Sequence, residues 1–364
     1  MMTQTYIERE EIEGLGDDPD SFWGDYPIDT LLIRNEQRTV YEILRRIERG
    51  HFIMDPDFQR DFIWDEIKQS KLIESVLMRI PLPVFYLAED SYGRMVVVDG
   101  LQRLSTFRRF VNNELRLRLN DRPELHGSRF SDLSPKLQNR VEDCNLILYV
   151  IDAKAPDQTR LDIFDRVNSG EPLSRQQMRN CLFMGPATRF LRDESKTDLF
   201  LEATGRSLRT SIMRDREFVN RFCAFQILAL DDYRDMDDFL AKALRKMNSE
   251  VVSLPAVSKQ FRTTLDNNLR LFGRHAFRKH SPSQKYRNVL NASLWDVMST
   301  GLSRCSAEIV DERSDAIRDG LYWLLEDEDF ADSITYSTNS VKQVRCRFAM
   351  ANVMFEDVFG AHPA

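Results

Sequence analysis

Strand signals stop at about residue 184, and this change of hydrophobic period constrains the fold more than any other feature of the sequence. Before it, short apolar runs such as "VFYLAE", "RMVVVD" and "NLILYVIDA" alternate with amphipathic segments. After it, apolar residues recur only at helical spacing, as in "DREFVNRFCAFQILAL" and "VRCRFAMANVMFEDVF". A chain of 364 residues exceeds what one small core holds, so the break reads as a domain boundary. The expected class is α+β: an acidic arm over 1–35, a domain with a small mixed sheet over 36–184, and an all-helical domain over 185–364. No internal repeat or low-complexity tract interrupts this plan.

Charge is unevenly spread. Residues 1–30 hold nine Asp or Glu against a single Arg9, a net of −8, while the whole chain carries −7. Without the arm the remainder is close to neutral, which argues against a surface that grips nucleic acid all over and leaves room for a local basic groove. The arm reads as a solvated acidic tail or as a strand that imitates nucleic acid in such a groove. Phe22, Trp23 and Tyr26 suggest that its end docks on the folded body. The longest apolar runs fall far short of the roughly 18 residues a bilayer requires, and no basic-then-apolar leader opens the chain. With five cysteines scattered outside any CxxC pair, the expectation is a cytoplasmic protein with reduced thiols and no membrane partner.

Local signals place the elements. Thr39 and Glu42 stand in capping-box spacing before the stripe Val40, Ile43, Leu44 and Ile47, which Gly50 closes. "HFIMDP" is a short extended piece, and "DFQRDFIW" reads as a loop. Asp65 can cap a helix reaching about residue 79. Two strands around "DSYG" form a hairpin in which Gly93 supplies the unusual backbone angle. A helix then starts near Leu101 and turns Leu104, Phe107, Phe110 and Val111 inward. "NLILYVIDA" is a further strand. A helix, a turn at Asn168 to Gly170, and a helix capped by Ser174 with Gln177 complete the domain.

The junction "VVVDGLQRLSTF", residues 96–107, carries the chemistry. A strand that ends in Asp99, turns on Gly100 and opens a helix leaves the first backbone N–H groups without intrahelical partners, and such donors attract phosphate. Gly100 permits close backbone approach, and Arg103 can add a forked contact to phosphate oxygens. Asp99 could hold Mg²⁺ or orient a nucleophile. Asp99 with Gln102 is equally a capping box, in which both side chains merely satisfy helix donors. A helix terminus contributes only about 0.3–1 kcal/mol to anion binding. Micromolar affinity needs about 8 kcal/mol, so other segments must contribute most of it. Gln59, Arg60 and Trp64 in one loop, and Arg166, Asn168 and Gly170 at the later turn, are the candidates.

Taken together, "FQRDFIW", "VVVDGLQRLSTF" and "IFDRVNSGEPLSRQQMRN" resemble the signature blocks of the family named for the N-terminal domain of GmrSD type IV restriction endonucleases, within the ParB and sulfiredoxin superfamily. The resemblance is firm over about residues 39–184. It implies nucleotide binding, and in studied branches NTP hydrolysis, coupled to DNA cleavage in defence against phage. By it, Asp99, Gly100, Gln102 and Arg103 correspond to the central motif, extended by Ser105 and Thr106. Gln59 and Arg60 match the first block, and Asn168 and Gly170 the third. Asp99 and Arg103 would be catalytic, with Asp99 also the Mg²⁺ ligand and the others nucleotide-binding.

Two departures from the pattern matter. Leu101 stands where the family usually has a glutamine, and Ser105 replaces a threonine while keeping the hydroxyl. Many relatives also carry a C-terminal HNH-type nuclease, whose histidines hold a metal. Here His275 and His280 in "HAFRKH" enclose no acidic residue and read as a basic loop. Three functions stay open: an NTPase gating a partner nuclease, a DNA nickase using Asp99 with a divalent ion, and a non-catalytic sensor of nucleotide or DNA. In each, the arginines at 206, 209, 214, 216 and 221 could line a groove for nucleic acid or a partner protein.

Overall fold

The computed structural model describes residues 12–15, 33–54, 64–90, 92–155, 160, 163, 174–249 and 251–360. It is α+β, with two compact units. One runs from residue 24 to 182; the other comprises 183 onward together with the start of the chain.

In the first unit β1 (Ile33–Thr39) leads into α1 (Val40–Glu48), β2 (Phe52–Ile53), α2 (Glu66–Leu77), β3 (Phe85–Glu89), β4 (Met95–Asp99), α3 (Leu101–Val111), α4 (Pro135–Glu142), β5 (Asn145–Ile151) and α5 (Arg175–Leu182). The strands form one mixed sheet in the order β1-β5-β3-β4-β2. β1 runs antiparallel to β5 and β3 antiparallel to β4, whereas β3 with β5 and β2 with β4 are parallel. Local chemistry explains the helix starts. Thr39 accepts from the Glu42 N–H at 3.2 Å, and Asp65 from the Lys68 N–H at 2.7 Å. Asp90 accepts from the N–H groups of Tyr92 and Arg94 and so closes the hairpin, with Gly93 at φ +75°. Leu104, Phe107 and Phe110 of α3 are buried, and α1 to α4 pack on one another.

β1 is absent from the sequence expectation, and it begins before residue 36. Its residues "IRNEQRT" contain one apolar side chain, so no period-2 hydrophobic signal exists. Backbone pairing with β5 and ion pairs hold it instead: Arg34 to Glu89 at 2.9 Å and to Asp152 at 3.0 Å, and Arg38 to Glu36 at 2.7 Å. Charged side chains on an edge strand also discourage pairing with other chains.

The second unit holds ten α-helices among the described residues: α6 (Pro186–Glu194), α7 (Asp198–Ala203), α8 (Arg214–Ile227), α9 (Met236–Asn248), α10 (Leu254–Phe272), α11 (Ala292–Gly301), α12 (Ala307–Glu312), α13 (Ser314–Glu326), α14 (Glu328–Ser333) and α15 (Val341–Phe359). Trp295 of α11 is fully buried at its centre. Phe200, Phe218, Phe261 and Phe277 surround it with ring centroids 4.5–6.1 Å away, and its Nε1 donates to the Phe218 carbonyl at 2.9 Å. Of the arm, residues 12–15 lie against this unit. Phe22, Trp23 and Tyr26, expected to dock, fall outside the described residues. No helix among the described residues is long and apolar enough to cross a membrane. All five cysteines are free thiols.

Candidate functional site

β4 delivers Asp99 to the corner. Pairing between β3 and β4 slips between Tyr86 and Leu87, so that Tyr86 faces Asp99 while Leu87 faces Val97. Such a bulge re-aims the side chain beside it. Gly100 follows at φ +99°, the left-handed region, and is the N-cap of α3. A Cβ there would lie 2.3 Å from Phe85 Cδ1, so the corner demands glycine twice, for conformation and for space. No side chain caps α3, which rules out the D-x-x-Q capping box at this junction.

The Asp99 carboxylate is committed elsewhere. Its Oδ2 accepts from Arg103 Nη2 at 2.7 Å, and its side chain is 40 % exposed. Among the described residues Oδ1 has no hydrogen-bond partner. Arg103 itself is buried. It donates to the carbonyls of Pro83 at 2.5 Å and Val84 at 3.0 Å, and its guanidinium stacks on the Phe85 ring at 4.1 Å. Burial lowers the Arg103 pKa from its ordinary value, with Asp99 partly offsetting that. The guanidinium is therefore a fixed partner of Asp99, where the sequence had suggested a forked phosphate contact.

The remaining expected residues divide into three groups. Gln102 accepts from the Trp64 backbone N–H at 3.4 Å, while Gln69 Nε2 donates to the Trp64 carbonyl at 2.8 Å. The described end of the first block is thereby tied to the start of α3 and to α2. Thr106 is fully buried and its Oγ1 donates to the Gln102 carbonyl at 2.8 Å, a role internal to the helix; Ser105 is half-buried on the same helix. Gln59, Arg60, Asn168 and Gly170 lie outside the described residues.

The sequence places the start of α5 at Ser174, as observed, but its buried polar face was not anticipated. The helix packs against β4, and the Ser174–Gln177 capping box that opens it is present in both directions, at 2.8 and 3.2 Å. Gln176, Arg179 and Asn180 are buried on it, with Gln176 donating to Asn180 at 3.0 Å and Arg179 to Gln176 at 3.0 Å. Polar residues at spacing three and four in "SRQQMRN" were the available signal, because a helix that buries such a face does so for a network.

In the helical unit the expected arginine groove does not form as one face. Arg206 and Arg209 are exposed, Arg214 pairs with Glu217 at 2.7 Å, and Arg216 is buried. Arg221 is fully buried with both oxygens of Asp296, at 2.8 and 2.6 Å. "HAFRKH" is likewise more than a basic loop. The rings of His275 and His280 stack at 5.1 Å, with Phe272 and Tyr322 against His280. Burial lowers both pKa values; for His275 the neighbouring His280, Arg274 and Arg278 add to the effect, and for His280 the Arg278 carbonyl opposes it. Folded imidazoles thus bind protons at lower pH than the unfolded ordinary value of about 6.5. Stability is full above that pH and is lost as pH falls through it toward the depressed values. Melting temperature should fall between pH 8 and pH 5, and a His275→Asn/His280→Asn variant should show less of that fall.

The fold and corner define a glycine-cornered strand–helix domain of the α+β class. Residues 40–184 match the family model described as GmrSD restriction endonuclease, N-terminal domain. The chain therefore carries a member of this domain family. No curated protein and no solved structure matches it.

Proposed function

We propose that the Asp99 corner binds the phosphates of a nucleoside triphosphate and hydrolyses it to gate DNA cleavage in a restriction-type defence, with a partner nuclease making the cut. A relation to the ParB and sulfiredoxin fold belongs to the same reading. One observation carries it: a half-exposed carboxylate, one oxygen unengaged among the described residues, is held by a buried arginine at a corner that excludes any Cβ. Structural capping would have turned Asp99 onto the helix; instead Arg103 holds it beside an α3 N-terminus that no side chain caps.

The corner's chemistry sets the division of labour. Arg103 orients Asp99 through Oδ2, leaving Oδ1 to accept a proton from an attacking water or to meet a cation. No group of three or more His, Cys, Asp or Glu among the described residues builds a metal cage. Magnesium bound mainly through substrate phosphates needs only one or two carboxylates, and among the described residues Asp99 supplies one at this corner. With Arg103 occupied, positive charge for the phosphates falls to Arg60, and Gln59, Asn168 and Gly170 would complete the pocket with Gln102 and Ser105.

Asp99→Asn is the diagnostic variant, since asparagine keeps an acceptor for Arg103. Turnover of NTP with Mg²⁺ by the purified chain should drop by about 100-fold or more. Unchanged turnover in a folded Asp99→Asn protein would end the reading. Arg103→Ala is less informative, because it strips Asp99, Pro83 and Val84 of a shared donor and should destabilise the domain. A sensor that binds without hydrolysis is the second reading, favoured by Leu101, whose apolar side chain is buried at the start of α3. Calorimetric binding without product over hours selects it.

A further inference from the structure

Three successive carbonyls of the acidic arm are each taken up by the helical unit. The Glu13 carbonyl accepts from the Ala292 N–H at 2.9 Å, that of Gly14 from Thr338 Oγ1 at 2.8 Å, and that of Leu15 from Asn339 Nδ2 at 2.8 Å. The Glu13 N–H donates to the Leu290 carbonyl at 3.0 Å, making a parallel bridge. Its carboxylate meets Lys279 at 3.1 Å and Asn291 Nδ2 at 3.4 Å. Gly14 sits at φ +74°, and a Cβ there would come within 3.1–3.2 Å of Ser293, Asn291 and the Ile334 carbonyl.

This arrangement reads an extended peptide as strand-addition sites do, by main-chain hydrogen bonds for attachment and side-chain contacts for choice. The choice is legible: a carboxylate at the first position, glycine at the second. The receptor side is rigidly backed. Arg347, fully buried, donates to the Thr338 carbonyl, and Tyr233 Oη donates to the Asn339 carbonyl at 2.7 Å. None of Ile12, Glu13, Gly14 and Leu15 is fully buried, so the arm can leave without opening the core.

We propose that this seat is a peptide-reading latch, filled in cis by the chain's own Glu13–Gly14–Leu15 segment, which opens and closes while the helical unit stays folded. The chain passes from the seat to β1 at Ile33 and returns to the helical unit at Phe183. Closed, the latch anchors the segment that leads to β1 on the helical unit through non-covalent contacts; open, that segment is released.

Amide exchange on the full chain tests this. The Ala292 N–H reports the latch, and the Trp295 N–H, bonded to the Asn291 carbonyl at 2.9 Å, reports the helical core. In the wild type Ala292 should exchange about 100-fold faster than Trp295, the signature of local opening. Gly14→Val should accelerate Ala292 about tenfold further and leave Trp295 and the melting temperature unchanged. A synthetic peptide of residues 9–20, added to the Gly14→Val protein, should slow Ala292 again, and the same peptide carrying Glu13→Lys should not. Exchange of Ala292 and Trp295 in step would overturn the proposal, as would an indifferent Gly14→Val or a peptide without effect.

Discussion

Asp296→Ala should destabilise the helical unit by about 3–5 kcal/mol, the cost of leaving buried charge without its partner. In a unit of this size that lowers the melting temperature by roughly 6–20 °C. Asp296 on α11 is the carboxylate between two fully buried guanidiniums: Arg221 on α8, held by both oxygens, and Arg347 on α15, whose Nη2 reaches Oδ2 at 2.9 Å. Burial works against the Arg221 charge, and the two-pronged contact with Asp296 more than offsets it; for Arg347 burial prevails and its pKa is lowered. Removing the carboxylate leaves two like charges in the core, with the more distant Glu217 adding negative charge near Arg221. Asp296→Asn should cost nearly as much, because it keeps the shape and loses the charge. Replacing Arg221, Asp296 and Arg347 together by Met, Leu and Met should recover much of the loss, since well-packed apolar groups avoid the desolvation that the ions incur. Denaturant titration read in the near ultraviolet at Trp295, against which Phe218 of the Arg221 helix packs, checks all three.

That cluster also shows what the sequence withholds. Arg221 lies in "RDREFVNRFCAF", where charged residues next to apolar ones read as a helix with a solvated face. Its partner is 75 residues away and the third member lies 51 beyond that. Pairing across such separations leaves no local period, so a core arginine and a surface arginine look alike. Helix starts, by contrast, are local chemistry: Thr39, Asp65 and Ser174 each bond the backbone three residues on, within the reach of a sequence reading. β5 was legible because its buried residues Leu146, Leu148 and Val150 alternate, and β1 was not, because ion pairs replace apolar burial there.

The corner was half legible. Strand, glycine and helix follow from "VVVDGLQRL", and so does the importance of Gly100. The destination of Arg103 does not, because its acceptors, the carbonyls of Pro83 and Val84, belong to any residue type and leave no trace in composition. Nor could the sequence choose between Asp99 as cap and Asp99 as held carboxylate. Backbone geometry makes that choice, by placing Gly100 at the N-cap in place of Asp99.

Gly100→Ala should be the most damaging small substitution in the α+β domain, and Gly93→Ala is its internal control. Both glycines hold positive φ, +99° and +75°, so alanine at either incurs a left-handed backbone cost of about 1–2 kcal/mol. At Gly93 the nearest atom to the new Cβ is Glu89 Oε1 at 3.9 Å, and nothing need move. At Gly100 the Cβ meets Phe85 Cδ1 at 2.3 Å and Cε1 at 2.8 Å, and overpacking a buried ring adds about 1–3 kcal/mol. The Phe85 ring cannot shift freely, because it is fully buried and carries the Arg103 guanidinium on its face. Displacing it disturbs the bond from Arg103 to Asp99, so the damage reaches the carboxylate as well as the core. Phe85→Leu relieves the clash: in that background the cost of alanine at 100 should shrink toward that of Gly93→Ala. Chemical denaturation of the four variants measures the coupling. Equal losses for Gly100→Ala and Gly93→Ala would mean that the ring yields, and that the corner is not the rigid support that Asp99 requires.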